Sequence, residues 1–136
     1  MKNFVTVAVV MTFLFLTRPL AAADIATLYF MHFEDETYVP VTKDTIRANA
    51  DEKWVISDKQ RIGRLMRIVT SGVKSTFEDV NVRAVLYANG KTYFINRDGD
   101  VEVDGNSTRI DLKEFLQFHG SLRDDEKRST HDRATL

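Results

Sequence analysis

The 136-residue chain has no cysteine. This excludes disulfides and thiolate metal sites, and leaves packing as the source of stability. Proline occurs only at Pro19 and Pro40. The six glycines stand singly, so no glycine-rich phosphate loop is present. Lysine and arginine together number 19 against 20 acidic residues. The basic excess that marks a nucleic-acid binder is therefore missing. No apolar run reaches the roughly 20 residues of a membrane-spanning helix.

The longest apolar run, Phe4 to Leu16, follows a short positive start at Met1-Lys2-Asn3 and ends at Thr17-Arg18-Pro19-Leu20. Ala21-Ala22-Ala23 then supplies small residues. Positive region, short apolar region and A-x-A site predict a secretory signal peptide over residues 1–23. The competing reading is a retained membrane anchor, against which the shortness of the run argues. A cysteine-free exported chain fits a bacterial periplasm or secretome better than a eukaryotic one, where small secreted domains usually carry disulfides. Residues 24–122 are expected to form one small domain. The polar stretch 123–136 is expected to be a disordered tail with no apolar stripe.

The most legible stretch runs from Asn81 to His119. Val82–Ala88 and Lys91–Arg97 are alternating runs joined by Asn89-Gly90, the strongest short-range hairpin signal. Asp98-Gly99 marks a second turn before Asp100–Val103. Upstream, Ala26–Phe33 and Glu52–Ile56 read as strands, and Thr37–Val41 as a short extended piece limited by Pro40. Ser57 with Gln60 matches a capping box ahead of an apolar stripe at Ile62, Leu65, Met66 and Val69. Gly72 is the expected stop. Asp111 with Glu114 opens a second helix, with Leu112, Phe115, Leu116 and Phe118 inward and Gly120 as its end. Thr42–Ala50 reads as one or two helical turns. The predicted fold is α+β: a twisted antiparallel sheet of about five strands, with a meander at 82–103, covered by helices near 58–72 and 112–120.

Chemistry is sparsely signalled. Asp98, Asp100, Glu102 and Asp104 are evenly spaced acids before Gly105, and so resemble a calcium loop in outline. Counted from Asp100, Ser107 takes the apolar position and Asp111 the place of the bidentate glutamate, and a strand stands where the incoming helix should be. His32, His119 and His131 have no metal-ligand spacing. No serine sits in a G-x-S-x-G elbow. Asn106-Ser107-Thr108 is a formal glycosylation sequon, relevant only in a eukaryote. Arg61, Arg64, Arg67 and Lys74 decorate one helix face.

The sequence thus points to an exported, non-enzymatic protein-binding module, for example an inhibitor or immunity protein that occludes a partner enzyme. No cofactor, nucleic acid or stable membrane span is expected. Arg83, Tyr87 and Tyr93 are the expected anchors, with Asp98, Asp100 and Glu102 as an acidic tip for a basic cleft. The alternative is a small hydrolase-type enzyme or a ligand- or calcium-binding periplasmic protein. His32 or His119 within hydrogen-bond reach of an acid, inside a cleft, would favour an enzyme.

Overall fold

The computed structural model describes residues 25–134, so the segment read as a signal peptide lies outside the described residues. In chain order the elements are β1 (Ala26–Phe30), α1 (Ile46–Asn49), β2 (Glu52–Ile56), α2 (Lys59–Thr70), β3 (Val73–Lys74), β4 (Val82–Ala88), β5 (Lys91–Asn96), β6 (Asp100–Val103), β7 (Asn106–Arg109) and α3 (Leu112–Ala134). The strands form one antiparallel sheet of 7, in the order β2-β1-β4-β5-β6-β7-β3. The fold is α+β, with the meander where it was expected and two more strands than the expected five. The additions are β3, of two residues, and β7, from a stretch that reads as loop. Residues 37–41 do not join the sheet.

Local chemistry accounts for the meander. Asn89 and Gly90 take φ of 52° and 70°, so both central residues of the β4–β5 turn have the positive φ that a type I′ turn needs. Asp104 and Gly105 repeat the arrangement at 50° and 76°, and this turn creates β7. The turn between β5 and β6 is held by Asn96, whose Oδ1 accepts from the Asp98 and Asp100 amides at 3.1 and 2.9 Å.

α2 and α3 begin where side chains reach back to free amides. Asp58 Oδ1 accepts from the Gln60 and Arg61 amides at 2.8 and 3.2 Å, so the cap of α2 sits one residue later than the Ser57 box predicts. Asp111 Oδ1 accepts from the Glu114 amide at 3.2 Å.

α2 and α3 cover one face of the sheet. Leu28, Phe30, Leu86, Tyr93 and Ile95 meet Leu65, Val69, Phe115 and Phe118 there in the main core. α3 does not end at Gly120. It runs on to Ala134, through the stretch expected to be a disordered tail. Leu122 is 4 % exposed, so tertiary burial carries the helix past its glycine. Arg61 pairs with Asp125 and fixes the following turn.

A smaller second core lies on the opposite sheet face, where Val82 and Val85 meet Met31, Val41 and Ile46. α1 and the chain leading to it cover only this part of the face. The region over β1 and β2 remains open.

Candidate functional site

Strand register assembles the open face. Lys53, Tyr29, Val85 and Phe94 stand opposite one another in one row across β2, β1, β4 and β5, and Val55, Thr27, Tyr87 and Thr92 form the next. The two tyrosines meet edge to face, with ring centroids 6.1 Å apart. The Arg47 guanidinium, at the start of α1, sits over both rings, 5.3 Å from Tyr29 and 5.7 Å from Tyr87. The Lys53 ammonium lies 5.5 Å from the Tyr29 ring. Burial pushes the Tyr29 phenol up, but hydrogen bonding to Arg47 and Lys53 outweighs it and leaves the pKa below its ordinary value. Among the described residues, neither cation has a carboxylate within ion-pair distance. Val55 is 63 % exposed beside them. The result is a stiff aromatic surface carrying positive charge.

Of the six side chains expected to contact a partner, three are buried. Arg83 is fully covered, because the pairing register shifts between Val82 and Ala84 and carries it under the 31–35 turn. Its Nη2 donates to the Asp35 carbonyl at 2.7 Å. Tyr93 stands opposite Leu86 on the helix-covered face. Asp100 is held by a two-pronged pair with Arg109, at 2.9 and 3.0 Å, which keeps its carboxyl below the usual range. Glu102 is half-buried and takes the Lys43 ammonium at 2.6 Å, while Asp104 pairs with Lys91 at 3.3 Å. The acidic tip is therefore largely neutralised from within. Asp98 is exposed, and Tyr87 stands half-buried on the open face. Among the described residues, no group of three His, Cys, Asp or Glu side chains could hold a metal ion.

A second constellation lies on the helix-covered side, where β2 meets α3. His119 stacks on Phe30 with centroids 3.6 Å apart, and its Nε2–H donates to Glu52 Oε2 across 2.6 Å. Trp54 Nε1–H donates to the same oxygen at 2.9 Å. Arg123 Nε and His32 Nε2 stand 3.7 and 3.8 Å from Oε1. Burial would raise the Glu52 pKa, but the bonds from His119 and Trp54 outweigh it and hold the carboxyl low. Burial lowers the His119 pKa by more than Glu52 raises it. A groove of about 410 Å³ opens beside the pair, between Phe33, Asp35, Leu116 and Arg123.

His32 and His119 are legible in the sequence, but not their meeting at Glu52, 67 residues before His119. Tyr29, Arg47, Lys53 and Trp54 were not singled out from the sequence. The available signal was the alternation in β1, where Thr27 and Tyr29 interrupt the more apolar Ala26, Leu28 and Phe30. Comparison with family models, with curated proteins and with solved structures gives no match.

Proposed function

We propose that this protein is an exported, non-enzymatic protein-binding module of the inhibitor or immunity type. It docks through the open sheet face around Tyr29 and Tyr87. The observation that carries this reading is the Arg47 guanidinium lying over two tyrosines that are fixed on paired strands. Tyrosine and arginine are the side chains that most often dominate binding energy at interfaces, and rigid placement limits the entropy lost on docking. Among the described residues no helix is long and apolar enough to cross a membrane.

The test uses the purified protein as bait in an extract of the exported proteins of its own source. Arg47→Ala and Tyr87→Ala are each expected to weaken the captured partner by about tenfold or more, equivalent to about 1.4 kcal/mol. Undiminished capture by both variants would remove the face as the contact. The Glu52–His119 pair favours a second reading, a small hydrolase-type or ligand-binding protein, since a histidine beside an acid at a groove is the geometry of a general base. Turnover that disappears in His119→Gln while the fold persists would replace the docking reading.

A further inference from the structure

β2 ends the sheet. Its only strand partner among the described residues is β1. Alternate residues of such an edge direct backbone N–H and C=O groups outward, ready to pair with another strand. Edges of this kind are normally blunted by shortness, a proline, a bulge, charged side chains or a covering element, and Lys53 is the charge this edge carries on the open face. β2 carries no proline, and its pairing with β1 runs in unbroken register from Ala26↔Ile56 to Phe30↔Glu52.

The space beside this edge is shaped. Two adjoining grooves, of about 270 and 360 Å³, lie between β2 and the outer half of α3. Both are lined by Trp54 and Glu126, and together they span Glu52 to Asp58. Trp54 lies on the helix side of the strand, partly buried against the main core. Lys53 and Val55 face the other way, onto the open sheet face.

Building on the docking reading above, we propose that the partner contributes an extended segment that joins the sheet as a strand beside β2. The segment alternates apolar and acidic residues. Its apolar side chains enter the groove over Trp54 and Leu122, and its carboxylates lie on the open face against Lys53. Charge decides this composition. Lys53 stands on β2 itself and meets no carboxylate of the described chain, so an acid directly across the strand pair supplies the missing partner. Backbone pairing supplies affinity, and the alternating side chains supply selection.

Trp54 is the only tryptophan in the chain, so its fluorescence reports directly on the groove. The purified protein is titrated with a short alternating Glu-Val peptide and with its Lys-Val counterpart. The Glu-Val peptide is expected to shift the Trp54 emission, to slow hydrogen exchange at alternate β2 amides, and to bind about tenfold tighter than Lys-Val. Lys53→Glu is expected to reverse that preference. The proposal is overturned if neither peptide moves the emission, or if protection appears away from β2. Equal binding of the two peptides would also overturn it. So would concentration-dependent pairing of two copies through β2, seen by sedimentation, because the edge would then already be filled. A native partner that is lost by Arg47→Ala but leaves β2 exchange unchanged would sink the added strand and spare the docking face. A native partner indifferent to Arg47→Ala and Tyr87→Ala sinks both.

Discussion

Arg83 is the largest of the fully buried side chains, and no carboxylate bonds to it. Its Nη1 and Nη2 donate to the Val82 and Asp35 carbonyls, at 3.2 and 2.7 Å, and its Nε has no partner among the described residues. Burial, reinforced by nearby Arg97, lowers its pKa from the ordinary value. The charge costs solvation, while the stem fills volume and the guanidinium pins the turn that leads to exposed Tyr38. Two substitutions separate these effects. Arg83→Met keeps the stem's volume and removes the buried charge along with the bonds to the Val82 and Asp35 carbonyls, so unfolding free energy should change by about 1 kcal/mol. Arg83→Ala loses the same bonds and opens a cavity as well, and should cost about 3 kcal/mol. Urea unfolding measures both. Equal losses would mean that the guanidinium bonds, not the filled volume, set the stability.

At the scale of elements, the sequence is most informative where a turn needs unusual backbone. Asn89-Gly90 placed β4 and β5 almost residue for residue, because few pairs adopt two positive φ values in succession. Periodicity likewise located α2 and the start of α3. It missed β3, whose pairing is decided by a distant partner: Val73 faces Arg109 and Lys74 faces Thr108. It missed β7 because Asn106-Ser-Thr-Arg109 has no apolar alternation, although the strand pairs locally with β6 through the Asp104-Gly105 turn. Gly72 reads from sequence as a helix stop. Its structural constraint is close approach, since a Cβ there would lie 2.5 Å from the Arg109 carbonyl oxygen. α3 outruns its local sequence signals for a similar reason. Gly120 and the charges after it argue locally for a stop, while the burial of Leu122 and the Arg61–Asp125 pair argue otherwise only in three dimensions.

The joint between α3 and β2 has a predictable response to acid. His119 has a pKa below its ordinary 6.5, so below that pH the unfolded chain binds a proton that the folded chain refuses. Stability therefore falls as pH drops from about 6.5 toward the folded value. Glu52 is depressed below 4.5, and its contribution is present above that pH and lost as pH falls through its folded value. Both groups act in the same direction, in successive windows. Urea midpoints should decline as pH falls below about 6.5 and again as it falls below about 4.5, and His119→Gln should flatten the first decline. A variant curve parallel to that of the parent would show that His119 does not carry the linkage.

Across the whole molecule, each sheet face has a different relation to solvent. One face is sealed by α2 and α3. The other is covered over β4 and β5 by α1 and the chain before it, which leaves Lys53, Val55 and the β2 edge exposed, with Tyr29 and Tyr87 half-buried beneath Arg47. The sign of the surface was not legible in the sequence, because Lys43, Lys91 and Arg109 neutralise acids that look free when read in order. The outer half of α3 serves the edge more than the core. Residues 127–131 are exposed, whereas Leu122 is buried and Arg123 and Asp125 reach β2 and α2. Ending the chain after Glu126 should therefore change unfolding free energy by less than about 0.5 kcal/mol, while ending it after Gly120 should cost about 3 kcal/mol or more. Chemical denaturation of the two truncated chains checks the pair of values. The chain ending after Glu126 keeps Lys53, Trp54 and the groove wall as far as Glu126, so a folded protein that still responds to the Glu-Val peptide is the expected result. If that chain unfolds as readily as the one ending after Gly120, the terminal turns of α3 hold the core together, and their place beside β2 is a consequence of packing.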